Sequence, residues 1–297
     1  MESSKTVLGI VGYGVMGQAI RRCFERSEEL QARFALKILA RTRPENGGGN
    51  QAVSFVSSLE EIAAQSEAII IAVRSGQVIQ TVAELARCLP DQAADKSKLI
   101  ISLATGVPVP SLDEAGGGKL AVARVMPNVL LEVNRGIFGF CHEKGLSDSH
   151  YETIRFFFDR LGTVIELDES QMNVFTALAG CGPGFMFYLM DAFIEAGVSV
   201  GLTRESARNI TVALFGGSAE LASSTGLHPV LLREQAVSPA GMTTIGLNRL
   251  DSLAVRGHII DSVKTAHEHG KIMDSEIGSE KLSPSMAQPM RESEGTR

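Results

Sequence analysis

In the first half of the chain, short unbroken runs of apolar residues alternate with stretches of helical spacing. Residues 6–11 read Thr6-Val7-Leu8-Gly9-Ile10-Val11, residues 34–39 read Phe34-Ala35-Leu36-Lys37-Ile38-Leu39, and residues 68–73 read Ala68-Ile69-Ile70-Ile71-Ala72-Val73. Leu99-Ile100-Ile101-Ser102-Leu103 and residues 119–125 continue the series. Runs of this length, rich in β-branched residues, predict strands of a parallel sheet with helices on both faces. Helices are predicted over residues 18–27 and 78–88, and residues 136–141 and 163–167 read as edge strands around a helix over 147–161. From Glu169 onward only helical patterns remain, over 171–179, 182–200, 203–223, 228–234, 239–256 and 259–272. Gly201 and Gly257 fall between these helices, where C-terminal caps belong. The stretch 185–196 is apolar but for Tyr188, Asp191 and Glu195. A helix that apolar must be covered, and in so small a domain the cover expected is a second subunit.

Gly12-Tyr13-Gly14-Val15-Met16-Gly17 follows the first strand at once and opens a helix. This is G-x-G-x-x-G in the strand–turn–helix setting of a dinucleotide site. Gly12 is expected to make the tight turn, Gly14 to let a pyrophosphate approach, and Gly17 to let helix pack on strand. After the second strand come Arg41, Thr42 and Arg43, with no acid until Glu45. Arginines and a hydroxyl at that place suit a 2′-phosphate, so the cofactor predicted is NADPH. Val73-Arg74, Ala104-Thr105-Gly106 and Met126-Pro127-Asn128 lie at the carboxyl ends of later strands, where ligands bind in open α/β sheets.

A second constellation is Val237-Ser238-Pro239-Ala240-Gly241-Met242-Thr243-Thr244-Ile245. Ser followed by Pro predicts a helix with Ser238 as N-cap and Pro239 at the first helical position. Small residues next leave backbone N–H groups near Gly241 and Met242 open to a carboxylate or phosphate. Thr243 and Thr244 place hydroxyls one turn further in.

Composition narrows the classes of function. Of the 297 residues 44% are hydrophobic and 21% charged, and the formal net charge is −6, which argues against nucleic acid or an anionic membrane as partner. No transmembrane span and no signal peptide is expected. Cys23, Cys88, Cys141 and Cys181 are widely spaced and read as reduced cytoplasmic thiols. The six histidines offer no metal-ligand spacing, and His267 and His269 read as structural or solvated.

These motifs together resemble the pyrroline-5-carboxylate reductases, over roughly residues 5–273. Ser238-Pro239-Ala240-Gly241-Met242-Thr243 is similar to the family's Ser-Pro-Gly-Gly-(Ala or Thr)-Thr, and Leu178-Ala179-Gly180-Cys181-Gly182-Pro183-Gly184-Phe185 to its Leu-Ser-Gly-Ser-Gly-Pro-Ala-Tyr. Arg124-Val125-Met126-Pro127-Asn128 matches Arg-x-Met-Pro-Asn, and Ser102-Leu103-Ala104-Thr105-Gly106-Val107 resembles Ser-x-Ala-Ala-Gly-Val. The resemblance implies an α/β protein: an NADP-binding Rossmann domain (residues 1–168), an all-α dimerisation and substrate domain (169–273), and a tail (274–297) whose polar composition predicts disorder. It further implies dimers that often build decamers, and reduction of the C=N bond of a cyclic imine carboxylate to give proline. Thr243 would contact the ring nitrogen, and Ser238 with Gly241 and Met242 would hold the carboxylate. Thr244 is the substitute should the register shift by one.

The departures are Val129-Leu130 for Thr-Pro, Ala179 and Cys181 for two serines, Ala240 for the first glycine of the signature, and Met242 for a smaller residue. They bear on which imine is taken. One rival is a related cyclic imine of specialised metabolism; another is a non-catalytic NADP-binding protein. A β-hydroxyacid dehydrogenase would rely on a lysine in the helical region, and none occurs between Gly145 and Val263.

Overall fold

The structure is a computed structural model describing residues 5–42, 50–90 and 96–280. Arg43 and residues 281–297 therefore lie outside the described residues. The first half runs β1 (Thr6–Val11), α1 (Val15–Arg26), α2 (Glu28–Arg33), β2 (Phe34–Leu39), β3 (Val53–Val56), α3 (Leu59–Gln65), β4 (Ala68–Ile71), α4 (Ser75–Arg87), β5 (Leu99–Ser102), α5 (Val109–Gly116), β6 (Ala121–Met126), β7 (Gly136–His142), α6 (Asp148–Phe158) and β8 (Gly162–Glu166). The eight strands form one sheet in the order β3-β2-β1-β4-β5-β6-β7-β8. Every neighbouring pair is parallel except β6 with β7. The strand order reverses between β1 and β4, which opens a crevice at their carboxyl ends.

Alternation along the strands feeds two cores. Leu8 and Ile10 of β1 join Phe24, Phe34, Phe138 and Phe157 on one face, while Val11 joins Ile69, Val78, Leu85, Ile100 and Leu112 on the other. Expected strands over 6–11 and 34–39 have the observed bounds. Strand β4 stops two residues short of expectation, because Ala72 and Val73 turn off against Gly12. The edge strand β3 was not legible in the pattern: it is four residues long, with an exposed serine in its middle.

The second half runs α7 (Met172–Phe175), a π-helical turn (Thr176–Gly180), α8 (Gly182–Ser199), α9 (Arg204–Thr225), α10 (Pro229–Gln235), α11 (Met242–Ser252) and α12 (Val255–Glu280). Gly201 follows α8 in a left-handed conformation, as a cap should. Gly257 does not cap; it lies inside α12, and the break between α11 and α12 falls at Leu253 and the left-handed Ala254. Residues 274–280, expected as the start of the disordered tail, continue α12, since no proline interrupts the chain before Pro284. The run Glu169–Ser199 is apolar and long enough, by composition, to cross a membrane, against the expectation of no such span.

The helical half is thin. Pro183 is the sole buried residue of α8, Ala207 and Thr211 those of α9, and α10 and α11 bury none. Phe187, Phe193, Leu221 and Ile245 are each half exposed or more. A domain this open has no core of its own, and covering each such side chain is worth about 1.5–3 kcal/mol.

Candidate active site

Three glycines shape the start of α1. A Cβ on Gly12, whose φ is +102°, would lie 2.6 Å from the Ala72 carbonyl oxygen, and one on Gly17 would lie 2.3 Å from that of Gly12. Neither position tolerates a side chain. Gly14 has nothing within 4 Å of its would-be Cβ and caps α1 through backbone alone. Helix N-termini carry unpaired N–H groups and the positive dipole end, so this open approach is an anion cradle. Val15 is exposed and Met16 packs on the core beneath. Tyr13 is braced: its hydroxyl accepts from Arg21 Nη1 at 2.8 Å, and its ring meets Phe55 of β3 edge-on at 5.6 Å. Burial works against the Arg21 charge, but bonds to Glu25 and Tyr13 raise its pKa overall.

The carboxyl end of β2 lies beside this turn, because Gly12 N–H donates to the Leu39 carbonyl at 3.1 Å. Arg41 and Thr42 follow, both exposed. On the other side of the crevice, Leu103 N–H donates to Ile71, which aligns the end of β5 with that of β4. Val73 and Arg74 lead into α4, with Arg74 as its N-cap. Ala104 and Gly106 are buried, and the half-buried Thr105 donates to Met126 Sδ at 3.6 Å.

Asn128 is committed to protein partners. Its side chain is buried, donates to the Ala179 carbonyl at 2.9 Å, and accepts from Leu130 and Ile137 N–H. Ala179 belongs to the π-helical turn, closed by Cys181 N–H on the Thr176 carbonyl. Pattern reading missed a further pair. Arg124, in the middle of apolar β6, is 2% exposed; it bonds the Glu169 carboxylate and donates from Nε to the Ala104 carbonyl at 3.3 Å. Glu169 also accepts from Val109 N–H at 2.9 Å and from the Cys141 thiol at 3.4 Å. Burial, with the Glu169 charge beside it, pushes the Cys141 thiol well above its ordinary range, so this cysteine is no nucleophile. The signal was there: an arginine in a buried strand demands a partner.

The signature differs locally from expectation. Ser238 does not cap the helix and Pro239 is not its first residue. Gly241 N–H donates back to the Ser238 carbonyl at 3.0 Å, closing a turn that holds Ala240 at φ +57°. That turn delays the helix to Met242, with Gly241 as an N-cap that no side chain bonds. The Ser238 hydroxyl packs over Gly241, where a Cβ would come within 2.3 Å of it. Thr244 is committed to the turn, donating to the Ser238 carbonyl at 2.8 Å. Thr243 is exposed, and Met242 is 93% exposed. A hollow of about 480 Å³ lies on the Pro239 and Thr244 side, lined also by Val237, Leu247 and Asp251. Thus the first-turn amides of α11, which no side chain caps, and the exposed Thr243 lie at one open helix end. Neither α10 nor α11 packs substantially on the sheet, so the chain does not bring this end to its own crevice.

Residues 169–273 match the family model described as pyrroline-5-carboxylate reductase dimerisation. Over 284 residues the chain is 29% identical to the pyrroline-5-carboxylate reductase of Methanosarcina acetivorans, covering 91% of this chain and 98% of that one. It is 27% identical over 265 residues to the Arabidopsis thaliana reductase of the same name, covering 89% and 94%. Among solved structures it is similar to Plasmodium falciparum pyrroline carboxylate reductase with NADP bound, at a TM-score of 0.79 and 27% identity over 92% of this chain and 99% of that one.

Proposed function

We infer that this chain is a pyrroline-5-carboxylate reductase, which reduces the ring C=N of 1-pyrroline-5-carboxylate to proline at the expense of NADPH, in the last step of proline biosynthesis. The observation that carries this reading is the pairing, on one chain, of a Cβ-intolerant cradle at Gly12 and Gly17 with an uncapped helix end beside Thr243. Similarity across nine tenths of the chain to reductases of that name supports it.

The cradle fits a dinucleotide: Gly12 and Gly17 cannot carry a Cβ, and Gly14 leaves the approach to the α1 amides clear. When bound, the nicotinamide supplies a hydride to the imine carbon. The chain's part is to hold and orient. Amides of the α1 N-terminus receive the pyrophosphate, Arg41, Thr42 and Arg43 receive the 2′-phosphate, and Val73, Arg74, Ala104, Thr105 and Gly106 border the crevice. At α11 the Gly241 and Met242 amides, with the Ser238 hydroxyl above Gly241, hold the substrate carboxylate. Thr243 orients the ring nitrogen and donates to it as it becomes an amine. A protonated imine needs no strong general acid, so positioning supplies most of the rate.

Because α11 stands apart from its own sheet, we place the working site between two subunits, the crevice of one facing the α11 end of its partner. The same association covers the apolar face of Glu169–Ser199, so that run is read as interface and the enzyme as cytoplasmic. Assembly of dimers into a decamer completes the reading. Met242 favours one alternative, a related cyclic imine carboxylate, since it stands fully out beside the carboxylate site.

The test is oxidation of NADPH by the purified protein with pyrroline-5-carboxylate, with proline identified as product. No turnover alongside intact NADPH binding would transfer the reading to another imine. Arg41→Ala with Arg43→Ala is expected to weaken NADPH about tenfold or more while leaving NADH within about threefold. Equal loss for both cofactors would overturn the 2′-phosphate assignment.

A further inference from the structure

The carboxyl end of β6 carries two buried polar side chains, and both bond protein partners in the helical half. Arg124 bonds Glu169, the residue at which the helical domain starts, and holds the Ala104 carbonyl at the β5 strand end. Asn128 holds the Ala179 carbonyl of the π-helical turn and the Ile137 N–H of β7. Met126 lies between them: its sulfur accepts from Thr105, and its methyl lies 3.4 Å from the would-be Cβ of Gly180. One strand end is therefore tied to the helical half at two points that bracket a residue of the crevice.

Stability alone does not account for this. Arg124 Nη2 is buried with no protein partner among the described residues, a penalty that an apolar residue in β6 would avoid. π-Helical turns are rare and gather at functional sites. We propose that Arg124 and Asn128 are positioning residues. They seat the π-helical turn and the start of α8 on the carboxyl end of β6, and so fix Met126, Ala104 and Thr105 as the wall against which the nicotinamide is held. Asn128 is then no ligand of the cofactor. The proposal rests on the reductase reading for its kinetic arm only.

The variants are Asn128→Ala, and Arg124→Met paired with Glu169→Gln so that no charge is left buried alone. With either, NADPH affinity measured by fluorescence titration should stay within about threefold, while kcat falls about tenfold or more and the deuterium isotope effect on hydride transfer rises. Amide hydrogen exchange should quicken in residues 172–184 and stay unchanged in α9. NADPH affinity falling in step with kcat/KM would overturn the proposal and make Asn128 a cofactor ligand. A lowered melting temperature with kcat, isotope effect and exchange unchanged would overturn it in favour of a plain packing role. If Asn128→Ala does not fold, the paired variant decides, since removing both charges together leaves neither one buried without its partner. Should the wild type itself not turn over pyrroline-5-carboxylate, the reductase reading fails, while exchange and NADPH affinity still test the clamp.

Discussion

Ala240 has a positive φ in the turn that precedes α11, a conformation that costs an L-residue about 1–2 kcal/mol. Glycine there would relieve the strain at about 0.5–1 kcal/mol of added chain entropy. Ala240→Gly is thus expected to stabilise by up to about 1.5 kcal/mol in chemical denaturation; clear destabilisation would contradict the turn. Thr243 and Thr244 are adjacent and identical in type, and pattern could not separate their roles. Their surroundings differ. Thr244 serves the turn through the Ser238 carbonyl, whereas Thr243 is exposed at the helix end. Thr243→Ala should lower kcat about 10²-fold with NADPH affinity within about threefold. Thr244→Ser, which keeps the hydroxyl, should be nearly silent. Were the two roles exchanged, Thr244→Ala would lower kcat about 10²-fold and Thr243→Ala would not. Ser238 and Pro239 misled in the same way: the dipeptide reads as a helix start only while the closing bond from Gly241 N–H is out of view.

Among elements, legibility followed length and burial. The apolar runs of β1, β2 and β4 could be read because both faces of the parallel sheet are covered, and G-x-G-x-x-G located α1 behind them. Short elements were lost. Strand β3, with Phe55 bracing Tyr13, is set by pairing with β2 rather than by any periodicity of its own. The link between α1 and the turn after β6 was equally hidden, since its partners lie 110 residues apart. There Arg22 bonds the Glu132 carboxylate, Arg26 donates to the Glu132 carbonyl at 2.7 Å, and Cys23 packs on the Leu131 carbonyl. The hydrogen bond from Arg22 holds the Glu132 carboxyl below its ordinary value. A depressed folded-state pKa adds stability above the unfolded value, and that stability is lost as pH falls through the folded one. Both side chains are partly exposed, at 47% and 36%, so screening limits the pair to about 1 kcal/mol or less. Glu132→Gln should therefore cost up to about 1 kcal/mol at neutral pH, with the gap to wild type closing below about pH 4. A gap that persists in acid would mean the packing of Glu132, not its charge, is what matters.

Taken whole, the molecule is a well-filled α/β sheet joined to helices that lack an interior. Phe187, Phe193 and Ile245 stay exposed in the single chain, as apolar side chains of an interaction surface do, and the apolar run over 185–196 carries that signal in the sequence itself. The same incompleteness separates Thr243 from the crevice of its own sheet, and it can be tested by complementation. Gly14→Asp should fold, since Gly14 has open space, an ordinary φ of −77° and the N-cap role for which aspartate is well suited. Its carboxylate would stand where the pyrophosphate must bind, so NADPH is refused. Thr243→Ala binds NADPH and lacks the orienting hydroxyl. Each variant alone should be nearly inactive. Equal amounts, mixed under conditions that allow subunit exchange, give mixed dimers as half of the population, each with one complete site if crevice and α11 end come from different chains. About a quarter of wild-type turnover should then return. A site closed within one chain would give no recovery however long the subunits exchange, because every crevice that binds NADPH would face an alanine at position 243.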